Sequence, residues 1–372
     1  MINFDNSATS FPKPPGVAKA VSAAVTRFGG NPGRSGHRLS REAAAKVFDV
    51  RQLAADFFHA QVENVAFTPN CTYALNMAIK GVAQFGGHVI ISDYEHNAAA
   101  RPVYALWKMR GVDFSVAKAG NDPEATVAGF ESLIRKDTRA VVCTAASNVT
   151  GRIMPYRELA QMCKKHGICF IVDAAQAAGL VDITLDDGMD FICAAGHKSL
   201  YGPTGTGLLV SSGRYALSTI IEGGTGATSN ELEQTGFLPE RLESGTLNTV
   251  GIIGLGEGLR FVKKTSPERI LRHEKRLCAQ FEQALSQMKN VVIYEQGVQR
   301  VPLTAFNVGE LHSEEAAQRL SQRGFALRGG LQCAALAHRT LGTTDRGIVR
   351  FSPSAFNTPQ QVQALTNAIR AL

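Results

Sequence analysis

At 372 residues the chain is long for a single domain and suits a large domain with a smaller companion. Hydrophobic residues at 44% and charged residues at 19% describe an ordinary globular protein with a substantial core and exclude a disordered chain. The formal net charge of +7 comes from scattered lysines and arginines, without a basic arm or an aromatic-interleaved patch, so a solvated basic surface is expected and nucleic-acid binding is not.

The amino terminus, Met1-Ile-Asn-Phe-Asp-Asn6, has no positive stretch followed by an apolar one, and no segment is long and apolar enough for a membrane span. A cytoplasmic protein without a membrane partner is expected. Thr68-Pro-Asn-Cys71-Thr72 is a turn running into a helix, and its hydroxyls at a helix start suit either a phosphate cradle or a plain N-cap. The next apolar run, His88–Ser92, reads as a buried strand, and His96 lies just past its end, where an imidazole can stack on a planar ring or simply face solvent.

Further strands are expected at Ala140–Thr144, Ile168–Asp173, Phe191–Ala195 and Gly207–Ser211. Between the first two of these lies Pro155 to Gly167, with proline near its start, basic residues in its last turn and glycine beyond, which are helix start and stop signals. Strands alternating with helices give an open, mostly parallel sheet whose ligands collect outside the carboxyl ends of the strands. Asn148, Asp173, Gln176, His197 and Lys198 all fall at such ends. An acid for a pyridine nitrogen, a donor for a ring oxygen and a lysine for an aldehyde form the set that pyridoxal phosphate requires.

Gly254-Leu-Gly256-Glu-Gly258 has dinucleotide-fingerprint spacing, but it follows no strand and no ribose-binding acid is placed after it, so a nucleotide site is not expected. Leu259 to Lys289 reads as one long charged helix, followed by short strands at Val291–Tyr294 and Leu303–Val308 and a helix from Ser313 to Arg323 with Ser313 as its N-cap. Seven cysteines without CxxC pairs argue against a disulfide framework and a structural zinc site, and no metal-ligand cluster stands out. Cys333 differs from the other six. It lies in the polar, glycine-containing loop Arg328-Gly-Gly-Leu-Gln-Cys333, with a fixed positive charge five residues upstream.

Taken together, Asn3 to Thr9, Asn31 to Ser40, Glu95-His96-Asn97, Ser147-Asn148-Val149, Asp173-Ala-Ala-Gln176, Gly196-His-Lys198, Arg241 to Asn248 and Phe351 to Thr358 resemble, in order, class V aminotransferase-fold enzymes of the cysteine desulfurase and selenocysteine lyase group, particularly its SufS-like branch. The resemblance spans nearly the whole chain. It implies an α/β, fold type I pyridoxal-phosphate transferase: a large domain over 15–259 with a mostly parallel mixed sheet, and a smaller α/β domain from 1–14 and 260–372 that carries the Cys333 loop. It further implies that Lys198 takes the aldehyde, Asp173 pairs with the ring nitrogen, Gln176 bonds the ring oxygen and His96 stacks on the ring. Thr72 and His197, with backbone amides at Cys71 and nearby, would hold the phosphate, and Thr246 would reach the phosphate of a second subunit in a homodimer. Asn148 and Arg350 would grip the substrate carboxylate with Arg328 beside it, and Cys333 would be the nucleophile that leaves L-cysteine as alanine and passes sulfur to an acceptor protein.

Departures from the family pattern are Ala195 where serine is common, Leu247 for the usual proline, Gly33 for a common histidine, and Gly330-Leu-Gln332 before Cys333 where members often have Gly-His-His. They leave the cofactor chemistry intact and leave open L-cysteine against L-selenocysteine and the acceptor. Selenocysteine lyase, a true class V aminotransferase and a non-enzymatic scaffold subunit stand as alternatives.

Overall fold

The computed structural model describes all 372 residues. In chain order the elements are β1 (Ile2–Asn3), α1 (Pro15–Arg27), α2 (Arg38–Phe58), β2 (Val65–Thr68), α3 (Cys71–Ala83), β3 (His88–Ser92), α4 (Asn97–Arg110), β4 (Asp113–Ala117), α5 (Pro123–Glu131), β5 (Thr138–Thr144), α6 (Tyr156–His166), β6 (Cys169–Asp173), β7 (Phe191–Ala195), β8 (Gly207–Ser211), α7 (Thr249–Thr265), α8 (Pro267–Leu285), β9 (Val291–Ile293), β10 (Thr304–Val308), α9 (Ser313–Gln322), β11 (Phe325–Ala326), α10 (Ala335–Thr340), β12 (Val349–Phe351) and α11 (Pro359–Arg370). All five strands expected in the first two thirds of the chain are present, as are both in the last third.

A seven-stranded sheet in the order β2-β8-β7-β6-β5-β3-β4 organises the molecule, and β8 alone runs against the others. The middle residues of its central strands are apolar on both sides, as in Val141-Val142-Cys143 and Phe170-Ile171-Val172, because both faces are covered. Successive side chains point to opposite faces, so Val141, Cys143, Phe170 and Val172 join one hydrophobic cluster while Ala140, Val142, Cys169 and Ile171 join another. A third cluster is built from Phe4 and residues between Leu277 and Ile369, packed on a three-stranded sheet β12-β10-β9. The chain start is tied to this region by parallel pairing of β1 with β11.

Two expectations are corrected. The single helix over 259–289 is two helices: α7 begins ten residues earlier, at Thr249, and ends before Ser266, which has a φ of 76°. Pro267 opens α8; proline has no amide hydrogen to donate into a preceding turn and disfavours helical geometry in the residue before it, which places the break. Ser313 is the first residue of α9 and not its cap, a position held by His312. The Ser313 hydroxyl instead donates to Arg346 O at 2.6 Å and accepts from Gly330 N at 2.9 Å, joining α9 to the Cys333 loop.

The glycines of α7 serve packing. A Cβ at Gly258 would lie 2.2 Å from Leu200 O, and one at Gly254 would lie 2.6 Å from Pro203 Cγ. The helix thereby rests directly on the turn that follows Lys198.

Candidate functional site

Every parallel strand delivers its carboxyl end to the same rim of the sheet, and there a cavity of about 210 Å³ is lined by Asn148, Asp173, Gln176, His197, Lys198 and the start of α3. His96, Arg328 and Arg350 complete its wall, with Cys71 and Thr72 contributing from α3. β6 ends at Asp173, a buried carboxylate that accepts from Ala175 N at 2.9 Å and lies 3.5 Å from Cys71 Sγ. Burial pushes the Cys71 thiol up, so it stays a protonated donor to the acid.

β7 ends at Ala195, and the turn that follows carries His197 and Lys198. Burial lowers the Lys198 pKa, opposed by Asp173, which favours an amine able to attack a carbonyl and to accept a proton. His197 is pushed down to about 4, first by burial and then by the charges of Lys198 and Lys13, and its buried Nδ1 has no partner in the protein. α3 begins with Asn70 as its cap, whose side chain accepts from Tyr73 N at 3.0 Å, and the helix start at Cys71 and Thr72 offers amide hydrogens to an anion.

His96 is the N-cap of α4, and its Nδ1 accepts from Ala98 N at 3.0 Å. Burial lowers its pKa to about 4, so the ring is neutral and its single proton sits on Nε2. Gln176 donates to Ser7 O at 3.1 Å and keeps a second amide hydrogen.

Arg350, 1% exposed, donates to Asn148 O at 2.9 Å and to Asp5 Oδ1 at 2.7 Å, and its buried Nε has no partner. Asn148 Oδ1 is likewise buried and unpartnered. Arg328 is bridged to Arg350 through the main chain and reaches Cys333 Sγ at 3.5 Å. Cys333 is the one exposed cysteine and the other six are buried.

Thr246 is not brought into this cavity. It lines a separate cavity of about 480 Å³ together with Tyr73, Leu242 and Leu247, and its hydroxyl accepts from Asn31 Nδ2 at 3.1 Å.

Three contributors escaped the sequence reading. Asp5 pairs with Arg350 across nearly the whole length of the chain, and Lys13 donates to His197 O at 2.7 Å. Glu95 is buried beneath the site, where its Oε1 accepts from Ser92 Oγ at 2.5 Å and from Thr144 N at 2.7 Å, joining the ends of β3 and β5. The only signal for Glu95 was its place in Glu95-His96-Asn97; for Asp5 and Lys13 nothing local pointed to the partner.

The donor set fits pyridoxal phosphate. A buried carboxylate, a neutral imidazole, a desolvated amine and a helix start converge on one cavity, and the unpartnered polar atoms of His197, Asn148 and Arg350 belong to residues that line it.

Comparison with known proteins agrees. The aminotransferase class-V family model matches residues 2–365. A probable cysteine desulfurase of Pyrococcus abyssi is 30% identical over a 385-position alignment that covers 100% of this chain and 94% of that protein. A cysteine desulfurase of Yersinia pestis is 32% identical over 314 residues, covering 80% of this chain and 76% of the relative. Among solved structures, the cysteine desulfurase from Thermococcus onnurineus NA1 superimposes with a TM-score of 0.92 at 29% identity, covering 100% of this chain and 95% of that one. The cysteine desulfurase CsdA from Escherichia coli gives 0.89 at 26% identity, over 99% of this chain and 94% of that one.

Proposed function

We infer the function from the fact that the chain belongs to the aminotransferase class-V family: it is a pyridoxal-phosphate-dependent cysteine desulfurase. The observation that carries the residue-level reading is the convergence of Lys198, Asp173 and Arg328 on one cavity, with Arg328 reaching the exposed Cys333 Sγ at 3.5 Å. Bound there, pyridoxal phosphate supplies an electron sink for the charge left when the Cα–H bond of cysteine breaks.

In this reading each side chain has a defined task. Asp173, fixed by Ala175 N, would pair with the ring nitrogen and keep it protonated. The start of α3 with Thr72, Cys71 N and His197 would hold the phosphate, Gln176 would give its spare amide hydrogen to the ring oxygen, and neutral His96 would cover the ring. Lys198 would hold the cofactor's aldehyde, and its amine, with a pKa lowered by burial, is suited to accept the substrate's α-proton. Arg350, through its unpartnered Nε, and Asn148 bind the substrate carboxylate, with Arg328 beside them.

The thiol of Cys333 receives the sulfur. The Cys333 thiol gives up its proton and its sulfur bonds to the substrate sulfur as the C–S bond breaks; the electron pair of that bond stays on carbon, where one proton completes the methyl group of alanine, and a thiol of an acceptor protein later takes the terminal sulfur and returns Cys333 to a thiol. We assign residues 15–259 to a large cofactor-binding domain and 1–14 with 260–372 to a small one, a division supported by the third cluster, which draws only on Phe4 and residues beyond 276. The seating of Thr246 outside its own cavity, beside exposed apolar surface, supports a homodimer in which it serves the partner's phosphate. A cytoplasmic location completes the reading.

The test is alanine release from L-cysteine by cofactor-loaded protein in a reducing thiol, with L-selenocysteine in parallel. Alanine from cysteine, abolished in Cys333→Ala while the visible absorbance of the bound cofactor persists, is expected. Normal cysteine turnover by Cys333→Ala would remove the nucleophile from the scheme, and alanine from selenocysteine alone would make the chain a lyase.

A further inference from the structure

The Cys333 loop is built unlike an ordinary surface turn. Gln332 and Cys333 both lie in the left-handed region, at φ 41° and 57°, which costs a non-glycine residue roughly 1–2 kcal/mol each and persists only where neighbours enforce it. Cys333 is exposed, yet the side chain before it is 2% exposed and fully engaged.

Gln332 Nε2 donates to Ile348 O at 2.6 Å and approaches Arg328 O at 3.4 Å. A carbonyl only accepts, so the amide orientation is fixed and Gln332 Oε1 faces His338 Nε2 at 3.1 Å. His338 therefore carries its proton on Nε2 and accepts the Thr343 hydroxyl on Nδ1 at 2.8 Å. His338 is fully buried, which lowers its pKa, and the nearby carbonyls of Leu331 and Thr343 oppose that shift. The main chain of the loop is held as firmly: Gln332 O accepts from Asn148 Nδ2 and Cys333 O from Asn97 N, each at 2.7 Å.

We propose that Gln332 and His338 are positioning residues that clamp the loop in one strained conformation and so hold the Cys333 thiol beside Arg328. The proposal rests on Cys333 as nucleophile. Substrate sulfur and acceptor thiol then meet Cys333 at a single place, without travel of the loop, and the acceptor must come to it.

The test uses cofactor-loaded protein with His338→Phe, which keeps bulk and removes the N–H, and His338→Gln, which restores an amide donor. Measured are kcat and KM for L-cysteine and the rate at which iodoacetamide alkylates Cys333, followed by peptide mass spectrometry. His338→Phe is expected to lower kcat about tenfold, with KM changed less than about twofold, because displacement of a reacting group by an ångström costs one to two orders of magnitude. The Cys333 alkylation rate should shift severalfold, and His338→Gln should recover most of both. Thr343→Val, a milder change at the far end of the same chain of bonds, should move both readouts in the same direction.

Parental kcat and alkylation in either His338→Phe or Thr343→Val, or equal losses in the Phe and Gln variants, would overturn the clamp. Alkylation reports loop geometry whatever Cys333 does, so full turnover by Cys333→Ala would reject the nucleophile and leave the clamp to be judged by alkylation alone.

Discussion

The carbonyl of His197 is held by Ser10 N at 3.1 Å, the Thr9 hydroxyl at 3.2 Å and the Lys13 ammonium at 2.7 Å, while the Ser10 hydroxyl donates to Lys198 O at 2.9 Å. The peptide that carries Lys198 is thus fixed from behind by the chain start. Burial lowers the Lys13 pKa to about 8, so the cation is present at neutral pH. A bond from a charged donor contributes about 1.5 kcal/mol where solvent partly screens it. Lys13→Met should therefore loosen the Lys198 turn and weaken cofactor affinity by about tenfold, the equivalent of 1.4 kcal/mol. Absorbance titration with pyridoxal phosphate measures it, and an unchanged dissociation constant would show that the remaining donors suffice.

At the scale of elements, α7 decides how closely a helix approaches the Lys198 turn. Alanine is favoured over glycine inside a helix by about 1 kcal/mol, so Gly258→Ala would stabilise an isolated α7. Its Cβ, however, would sit 2.2 Å from Leu200 O and 2.7 Å from Gly202 N, which are backbone atoms that cannot rotate away. The clash wins: overpacking of this kind costs about 1–3 kcal/mol and pushes α7 off residues 200–202. A lower Tm and loss of bound cofactor are expected, and a Tm at or above the parent's would refute the close-packing reading. The strand ends that build the site were legible because buried parallel strands are uninterrupted apolar runs and their ligating residues follow at once, as at Asp173 and Lys198. Periodicity alone ran α7 and α8 together, although Pro267 marked the break, and the capping pattern assigned the Ser313 hydroxyl to the end of α9 when its partners are Arg346 O and Gly330 N. Asp5 and Lys13 lay beyond reach for a different reason: their contacts are set by how the chain start folds across the sheet rim, which no local pattern encodes.

Across the whole molecule, the burial that shapes the site also sets how stability depends on pH. His96 and His197 fall from 6.5 to about 4, while Glu95 and Glu274 rise from 4.5 to about 8, in every case chiefly through burial. Between pH 4 and 6.5 the unfolded chain binds protons at the histidines that the native state does not, so their contribution to stability grows as pH rises. For the two acids the native state keeps protons that the unfolded chain has released from about pH 4.5 upward, so their contribution shrinks until about pH 8. The opposing effects offset one another up to pH 6.5, above which only the acids of this set still titrate. Stability of cofactor-free protein should then decline from pH 6.5 to 8. Glu274 on α8 accepts from the Tyr201 hydroxyl at 3.3 Å, three residues past Lys198, and stands apart from the cofactor cavity, so it isolates the effect. Glu274→Gln keeps an acceptor for Tyr201 without a titrating proton. The Tm difference between this variant and the parent should widen by several degrees from pH 5.5, where native Glu274 still holds its proton, to pH 8.5, a change of about 3 kcal/mol in stability. Thermal unfolding at the two pH values decides it, and an equal Tm difference at both would mean that Glu274 is already ionised in the native state.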